Sequence, residues 1–208
     1  MLALVLAAAV LHACWNALVK LEGDRLVVLG GFVTTHVVVG AVGIWFFPLP
    51  GAEIWPYILA GAVVHTGYKL FLAQAYDHGD FGLVYPIARG TAPLLVALFA
   101  WAWLGETLSP LGLIAVAIMA VAILSLARRG GGSPRAVALA SATGLMIASY
   151  TVIDGSGART LGNPHSYYLW LTLLDSLVFL AIVIARRENA IARIARRWRP
   201  GLMAGLMA

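Results

Sequence analysis

Repeated apolar runs constrain this chain more than any other feature. Seven stretches, each near the ~20 residues that a helix needs to cross a hydrocarbon core, follow one another with short interruptions. They are predicted at 2 to 20, 26 to 47, 55 to 76, 81 to 104, 110 to 127, 136 to 154 and 166 to 185. Because 62% of the 208 residues are hydrophobic and only 11% are charged, a soluble domain is excluded. The sequence therefore predicts an all-α, polytopic transmembrane helix bundle.

An eighth apolar run is cut short at the end of the sequence. After Arg199 the chain reads "PGLMAGLMA", which is too short to cross ~30 Å at ~1.5 Å per residue. We therefore expect this sequence to be a fragment of a longer chain. The lone Cys14 excludes an internal disulfide and a cysteine-based metal cage.

Basic residues fall almost entirely on one side of the predicted spans. Eleven of them lie in the loops after the odd-numbered spans, and Arg159 alone lies in the opposite loops. The eleven are Lys20, Arg25, Arg128, Arg129, Arg135, Arg186, Arg187, Arg193, Arg196, Arg197 and Arg199. Basic loops stay in the cytoplasm, so the N-terminus is predicted outside an inner or plasma membrane. The basic run near the end is interpreted as a topology and lipid-headgroup segment, not as a nucleic-acid site.

A weak internal repeat relates the first and sixth spans. "LHACWNALVKLEGDR" resembles "MIASYTVIDGSGAR", about five helices later. An odd number of spans in each repeat inverts the second copy, as in many transporters whose site lies between the repeats. Residues 1–129 would then form one complete five-helix repeat, and 134–208 a partial second repeat with helices six, seven and the start of eight.

Several motifs together resemble the EamA branch of the drug/metabolite transporter superfamily. They are "LHACWNALVK", "HTGYKLFLAQAY", "GDFGLVYPIARGTAPLLVALFAWAWLGETLSP" and "SYTVIDGSGAR", and the stretch from His65 to Pro110 is the most specific. The resemblance implies ten helices in an inverted repeat, with a central cavity built from helices one, three and four of each repeat. It also implies alternating access with no settled substrate, and it makes Glu106 a recurrent position that we expect to stabilise the turn between helices four and five.

Arg89 is the most informative residue inside a span. It lies about eight residues into the fourth helix, ~12 Å deep, where a charge is costly and usually functional. Tyr85 precedes it by one turn on the same face. In the third helix a similar stripe contains His65, Tyr68 and Lys69, and Lys69 is expected at nearly the depth of Arg89.

Two cations at one depth require an anion. One candidate is Asp175 in the seventh helix, and the other is a substrate carboxylate or phosphate, which an arginine fork binds well. The plainer alternative is a permanent Arg89–Asp175 ion pair that only fixes helix packing. Asp175 is therefore predicted either as an ion-coupling carboxylate or as the counter-ion of Arg89. For Lys69 the plainer alternative is an ammonium group that reaches the interface.

The first helix presents His12, Trp15 and Asn16 on one face, with Tyr150 as the counterpart in the sixth helix. These side chains are suited to line a cavity. His12, His36 and His65 also support a rival hypothesis, in which midplane histidines bind haem or a metal. A third interpretation is hydrogen bonding between helices.

No enzyme constellation is found in the sequence. The span serines have no histidine that spacing places beside them, and "GGG" at 130–132 is interpreted as a linker, not a phosphate loop. We therefore expect a secondary transporter, without cofactor or metal, that moves a small anionic or zwitterionic metabolite. The predicted partners are this solute and membrane lipids, and a homodimer is left open.

Overall fold

A computed structural model describes residues 2–104, 108–129 and 133–207. The predicted turn at Glu106 and the predicted linker at 130–132 lie outside the described residues. Within these ranges the chain forms nine α-helices, one short 3-10 helix at Ile44–Phe46 and no strand. The α-helices are α1 Leu2–Leu21, α2 Arg25–Gly43, α3 Trp55–His78, α4 Phe81–Leu104, α5 Pro110–Arg129, α6 Pro134–Leu161, α7 Pro164–Arg186, α8 Ala190–Arg196 and α9 Trp198–Met207.

Among the residues that the structure describes, five segments are helical, long enough and apolar enough to cross a membrane. They are Arg25–Phe46, Phe81–Ala102, Pro110–Arg128, Pro134–Leu161 and Pro164–Arg186. This confirms the all-helical class and indicates a membrane protein. The other two predicted spans also form helices, but α1 contributes only a shorter apolar run, Leu6–Leu21. The 24-residue α3 is long enough, yet polar residues such as Lys69 and Gln74 reduce its hydropathy.

Local capping fixes where several helices begin. Ser109 Oγ accepts a hydrogen bond from the Gly112 amide at 3.2 Å, directly before Pro110, and this cap fixes the start of α5. Asn163 caps α7 in the same way through the Ser166 amide, again with a proline in the first turn. Proline is tolerated there because the first amides of a helix have no intrahelical partner.

One compact unit falls within Met1–Thr66 and Ser156–Ala208. Part of its core is a cluster from α3, α6 and α7, formed by Ile54, Ile58, Ala62, Ala158, Tyr167 and Leu171. In the same unit α2 packs antiparallel to α7, because Gly40 lies against Leu173 and Gly30 against Val183. The absent side chains of these glycines allow the two helices to approach closely.

The end of the chain is also packed into this unit. Asn189 has a φ of 52°, a left-handed conformation that asparagine tolerates, and it separates α7 from the short α8. The following helix, α9, runs parallel to α2, with Gly201 against Gly31 and Gly205 against Thr35. The "GLMAG" segment therefore forms a helix interface of small residues.

The second compact unit spans Gly67–Gly155. It holds the second half of α3, helices α4 and α5, and most of α6. Gly144 of α6 lies against Thr91 of α4, and Gly90 of α4 lies against Ile123 of α5. The other faces of α5 are apolar and largely exposed, as expected for a helix that contacts lipid.

The two compact units are not the two predicted repeats. The units divide α3 and α6, whereas the predicted repeats meet between 129 and 134. The inverted repeat therefore stays a prediction.

Candidate functional site

Arg89 lies in the first half of α4, eight residues after Phe81 where the helix begins. Because the surrounding sequence is apolar, α4 places this guanidinium inside the predicted membrane span. Pro86 and Pro93 lie inside the same helix, one turn on either side. Proline removes an intrahelical hydrogen bond and leaves backbone carbonyls that a polar ligand can use. The side chain of Arg89 is half-buried.

Three tyrosines surround the Arg89 guanidinium within the second unit. Tyr85 and Tyr150 form side-chain hydrogen bonds with Arg89, and Tyr68 lies within electrostatic range of it. The rings of Tyr68 and Tyr150 meet edge to face, with centroids 5.9 Å apart and an interplanar angle of 79°. The structure thus brings together four of the residues that the sequence predicts for the site, from α3, α4 and α6.

A stacked aromatic group continues from Tyr85 toward the start of α4. The Phe81 ring lies 4.9 Å from the Tyr85 ring and 6.1 Å from the Tyr76 ring, with both pairs nearly parallel. Tyr76 is fully buried. These contacts restrict the rotamers of Tyr85 and hold its hydroxyl toward Arg89.

Two further charged side chains are buried in this unit. Lys69 and Asp154 are each only 4% exposed. Asp154 acts electrostatically on Tyr150, which also bonds Arg89, so Tyr150 lies within reach of both a cation and a carboxylate. Asp154 is absent from the predicted site because the predicted sixth span ends at this residue. The structure extends α6 to Leu161, so Asp154 lies two turns before the end of the helix. Its spacing of four residues from Tyr150 is the signal that could have found it.

Asp175 belongs to the other unit. It is 4% exposed, and its Oδ1 accepts a hydrogen bond from Thr66 Oγ1 at 3.3 Å. Thr66 follows His65, which is half-buried on the same helix. Asp175 is therefore a buried carboxylate with a hydroxyl donor, and its predicted exchange with Arg89 stays a prediction.

The predicted face of α1 is also found in this unit, and it is packed. Trp15 and Asn16 are each 2% exposed. Asn16 Nδ2 donates to the His12 carbonyl at 2.9 Å, within the helix. The Trp15 ring stacks on Phe32 at 5.2 Å and meets the His12 ring edge-on at 5.1 Å. The Trp15 Nε1 donor has no hydrogen-bond partner among the described residues, so this face retains one buried polar group that a ligand could satisfy.

The histidines do not gather with other ligands in the described ranges. His36 Nε2 lies 3.2 Å from the Gly205 carbonyl, a contact between α2 and α9. No group of three or more histidine, cysteine, aspartate or glutamate side chains that could hold a metal occurs among the described residues. Helix-to-helix hydrogen bonding therefore accounts for His36.

A separate ionic cluster lies at the beginning of α2. Asp24 Oδ2 accepts hydrogen bonds from Arg187 Nε at 3.0 Å and Arg193 at 2.6 Å, and Arg197 pairs with Glu22. Partial burial raises the pKa of the Asp24 carboxyl. The hydrogen bond and charge of Arg187, the Val27 amide and the charge of Arg193 together outweigh burial, and the pKa lies below its ordinary value. This cluster joins the α1–α2 loop to the segment that contains α8.

Comparison with known proteins identifies a similar fold. No family model matches the chain, and no curated protein matches it. A solved crystal structure described only as "Crystal structure of protein" has a similar fold, with a TM-score of 0.60 and 18% sequence identity over 97% of this chain and 75% of that chain. At this identity the similarity concerns the fold alone.

Proposed function

We propose that this protein is a secondary transporter that moves a small anionic or zwitterionic metabolite across an inner or plasma membrane. The observation that carries the proposal is the half-buried Arg89 inside an apolar spanning helix, bound by the hydroxyls of Tyr85 and Tyr150. The EamA-like motifs identified in the sequence support the same function.

The chemistry of this group favours anion binding. A guanidinium has five N–H donors in a planar fork, and two phenol oxygens cannot accept from all of them. Among the described residues of the unit, the groups that act on the Arg89 guanidinium include the hydroxyls of Tyr68, Tyr85 and Tyr150. Because a tyrosine hydroxyl is neutral at physiological pH, it orients the guanidinium without cancelling its charge. A ligand carboxylate or phosphate would supply both the acceptors and the charge.

The test is a binding screen with matched variants. Purified protein in detergent is heated with anionic, zwitterionic and cationic metabolites, for the wild type, Arg89→Gln and Arg89→Lys. Arg159→Gln is the control, because Arg159 is an exposed arginine in another unit. We expect an anion or zwitterion to raise the melting temperature of the wild type and the control, and to lose this effect in Arg89→Gln.

The hit is then followed by counterflow in proteoliposomes. Uptake of the labelled compound should depend on the same compound inside the vesicles and should be lost in Arg89→Gln. A stabilising metabolite that binds Arg89→Gln as well as the wild type would overturn the proposal. A much lower melting temperature of that variant without any ligand effect would instead assign Arg89 to packing.

A further inference from the structure

A groove of about 640 Å³ opens on the first compact unit, between α2, α7, α8 and α9. Its walls are almost entirely aliphatic. The lining includes Val38, Leu180, Ile184, Ile191, Ile194 and Leu202. Thr34 and Thr35 also line it, but both hydroxyls donate to carbonyls of their own helix, at 2.8 and 3.5 Å. The groove therefore offers little hydrogen bonding and favours a hydrocarbon ligand.

Its volume fits a chain-like ligand. Binding sites for small molecules are commonly ~300–1,000 Å³. A free polar metabolite would lose its hydration in this groove without gaining partners, so it is disfavoured. An acyl chain has no hydration to lose on entering, because both the bilayer and the groove are apolar.

The wall at α9 carries a cation. Trp198 lines the groove, and the guanidinium of Arg199 lies 5.5 Å from the centre of its ring. Arg196 follows Ala195, which is also a lining residue. Both arginines are exposed.

Two classes of arginine occur in this segment. Arg187, Arg193 and Arg197 are paired with Asp24 and Glu22. Arg196 and Arg199 form no ion pair with any described residue. The segment is thus partly neutralised where it meets the α1–α2 loop, and Arg196 and Arg199 remain cationic beside the groove.

We propose that this groove binds one anionic phospholipid of the surrounding bilayer, with an acyl chain against Ile191, Ile194 and Trp198 and the phosphate at Arg196 and Arg199. Arginine suits a phosphate because its fork donates two parallel hydrogen bonds. A tryptophan next to a basic residue is also typical of the depth at which lipid headgroups lie. The proposal rests on the groove and its charge, and it is independent of transport.

The experiment compares phosphatidylglycerol with phosphatidylcholine, which share acyl chains and differ in net charge. Native mass spectrometry counts the lipids retained by the wild type, the double variant Arg196→Gln/Arg199→Gln and the control Arg159→Gln. We expect the wild type and the control to prefer phosphatidylglycerol. The preference should fall about fivefold for each arginine removed, following the usual contribution of a basic residue near a charged membrane surface.

Tryptophan quenching then places the acyl chain. Phosphatidylglycerol with brominated chains should quench the tryptophan fluorescence of the wild type more than that of Trp198→Phe. The tryptophan fluorescence of the double arginine variant should be quenched less than that of the wild type. Equal retention of both lipids by the wild type, or a preference that survives the double variant, would overturn the proposal. A dimer in which Trp198 is protected from brominated lipid would assign the groove to a second copy and would also overturn it.

Discussion

Gly201 of α9 lies directly against Gly31 of α2. A Cβ atom added to Gly201 would lie 2.7 Å from the Cα of Gly31, closer than such atoms approach in real structures. Four residues later Gly205 repeats the contact, with Thr35 as its neighbour. The position of α9, and with it one wall of the groove between α2, α7, α8 and α9, therefore depends on residues without side chains.

Gly201→Ala should destabilise the protein, although alanine is the better helix former. The change gains roughly 0.5–1 kcal/mol of helix propensity, but it forces two backbones apart, and overpacking costs about 1–3 kcal/mol. We expect a melting temperature several degrees lower in detergent, measured by tryptophan fluorescence.

Gly82→Ala is the matched control, because a Cβ at this helical glycine would meet nothing within 4 Å. Its melting temperature should equal or exceed that of the wild type. If Gly201→Ala behaved like Gly82→Ala, the close contact between α2 and α9 would be wrong.

Tyr150→Phe should weaken the proposed ligand site without disturbing the fold. The ring contact with Tyr68 survives in phenylalanine, whereas the hydroxyl that bonds Arg89 is lost. A hydrogen bond to a charged group contributes about 1.5–3 kcal/mol, so the affinity for the ligand found in the screen should fall by roughly tenfold or more. Isothermal titration measures this change.

Tyr168→Phe is the control for this experiment, because Tyr168 is an exposed tyrosine of α7 in the other unit. The affinity of Tyr168→Phe for the same ligand should match that of the wild type. Unchanged affinity in Tyr150→Phe would mean that the Arg89–Tyr150 bond serves packing only.

Helix periodicity predicts the site only within single helices. Arg89 and Tyr85 are four residues apart, so their pairing follows from the sequence. The meeting of Tyr68 with Tyr150 depends on the packing of α3 against α6, which no local pattern determines. Asp154 is missed because the apolar run fades at this residue while the helix continues for two turns.

The helix boundaries also follow from the sequence only where the signal is local. The length of the apolar runs predicts both ends of α5 and of α7 to within two residues. The segment after Arg186 is too polar for such a pattern. It forms α8 because Asn189 turns the chain and Asp24 binds Arg187 and Arg193 from a distant loop.

Asp175→Asn separates binding from coupling. If Asp175 carries the coupling ion, the asparagine variant should still exchange labelled for unlabelled substrate. It should lose accumulation driven by a proton gradient, because asparagine cannot take up and release a proton. Asparagine retains an oxygen that can accept from Thr66, so this hydrogen bond is kept.

Both rates are measured in the same proteoliposomes, with Asp80→Asn as the control, since Asp80 is an exposed carboxylate. Full gradient-driven accumulation by Asp175→Asn would exclude the coupling role. Loss of exchange together with accumulation would place Asp175 in substrate binding.

Asp24→Asn should remove the ion pairs that stabilise the α8 segment. The pH dependence of this stabilisation should be lost with them. Asparagine is as good a helix cap as aspartate, so the bond to the Val27 amide is retained while the charge that binds Arg187 and Arg193 is lost. The folded pKa of Asp24 is lowered, so this stabilisation is complete above the unfolded value near ~3.9. It decreases as the pH falls through the folded pKa.

The melting temperature of the wild type should therefore exceed that of Asp24→Asn by a constant amount from neutral pH to about 5. The gap should close as the pH falls below about 4, because the wild-type carboxyl then takes up its proton. Glu188→Gln changes an exposed carboxylate in the same segment and should show no comparable gap. A gap that stays constant down to the lowest pH would mean that the ion pairs do not stabilise the fold, and that the substitution acts through the cap.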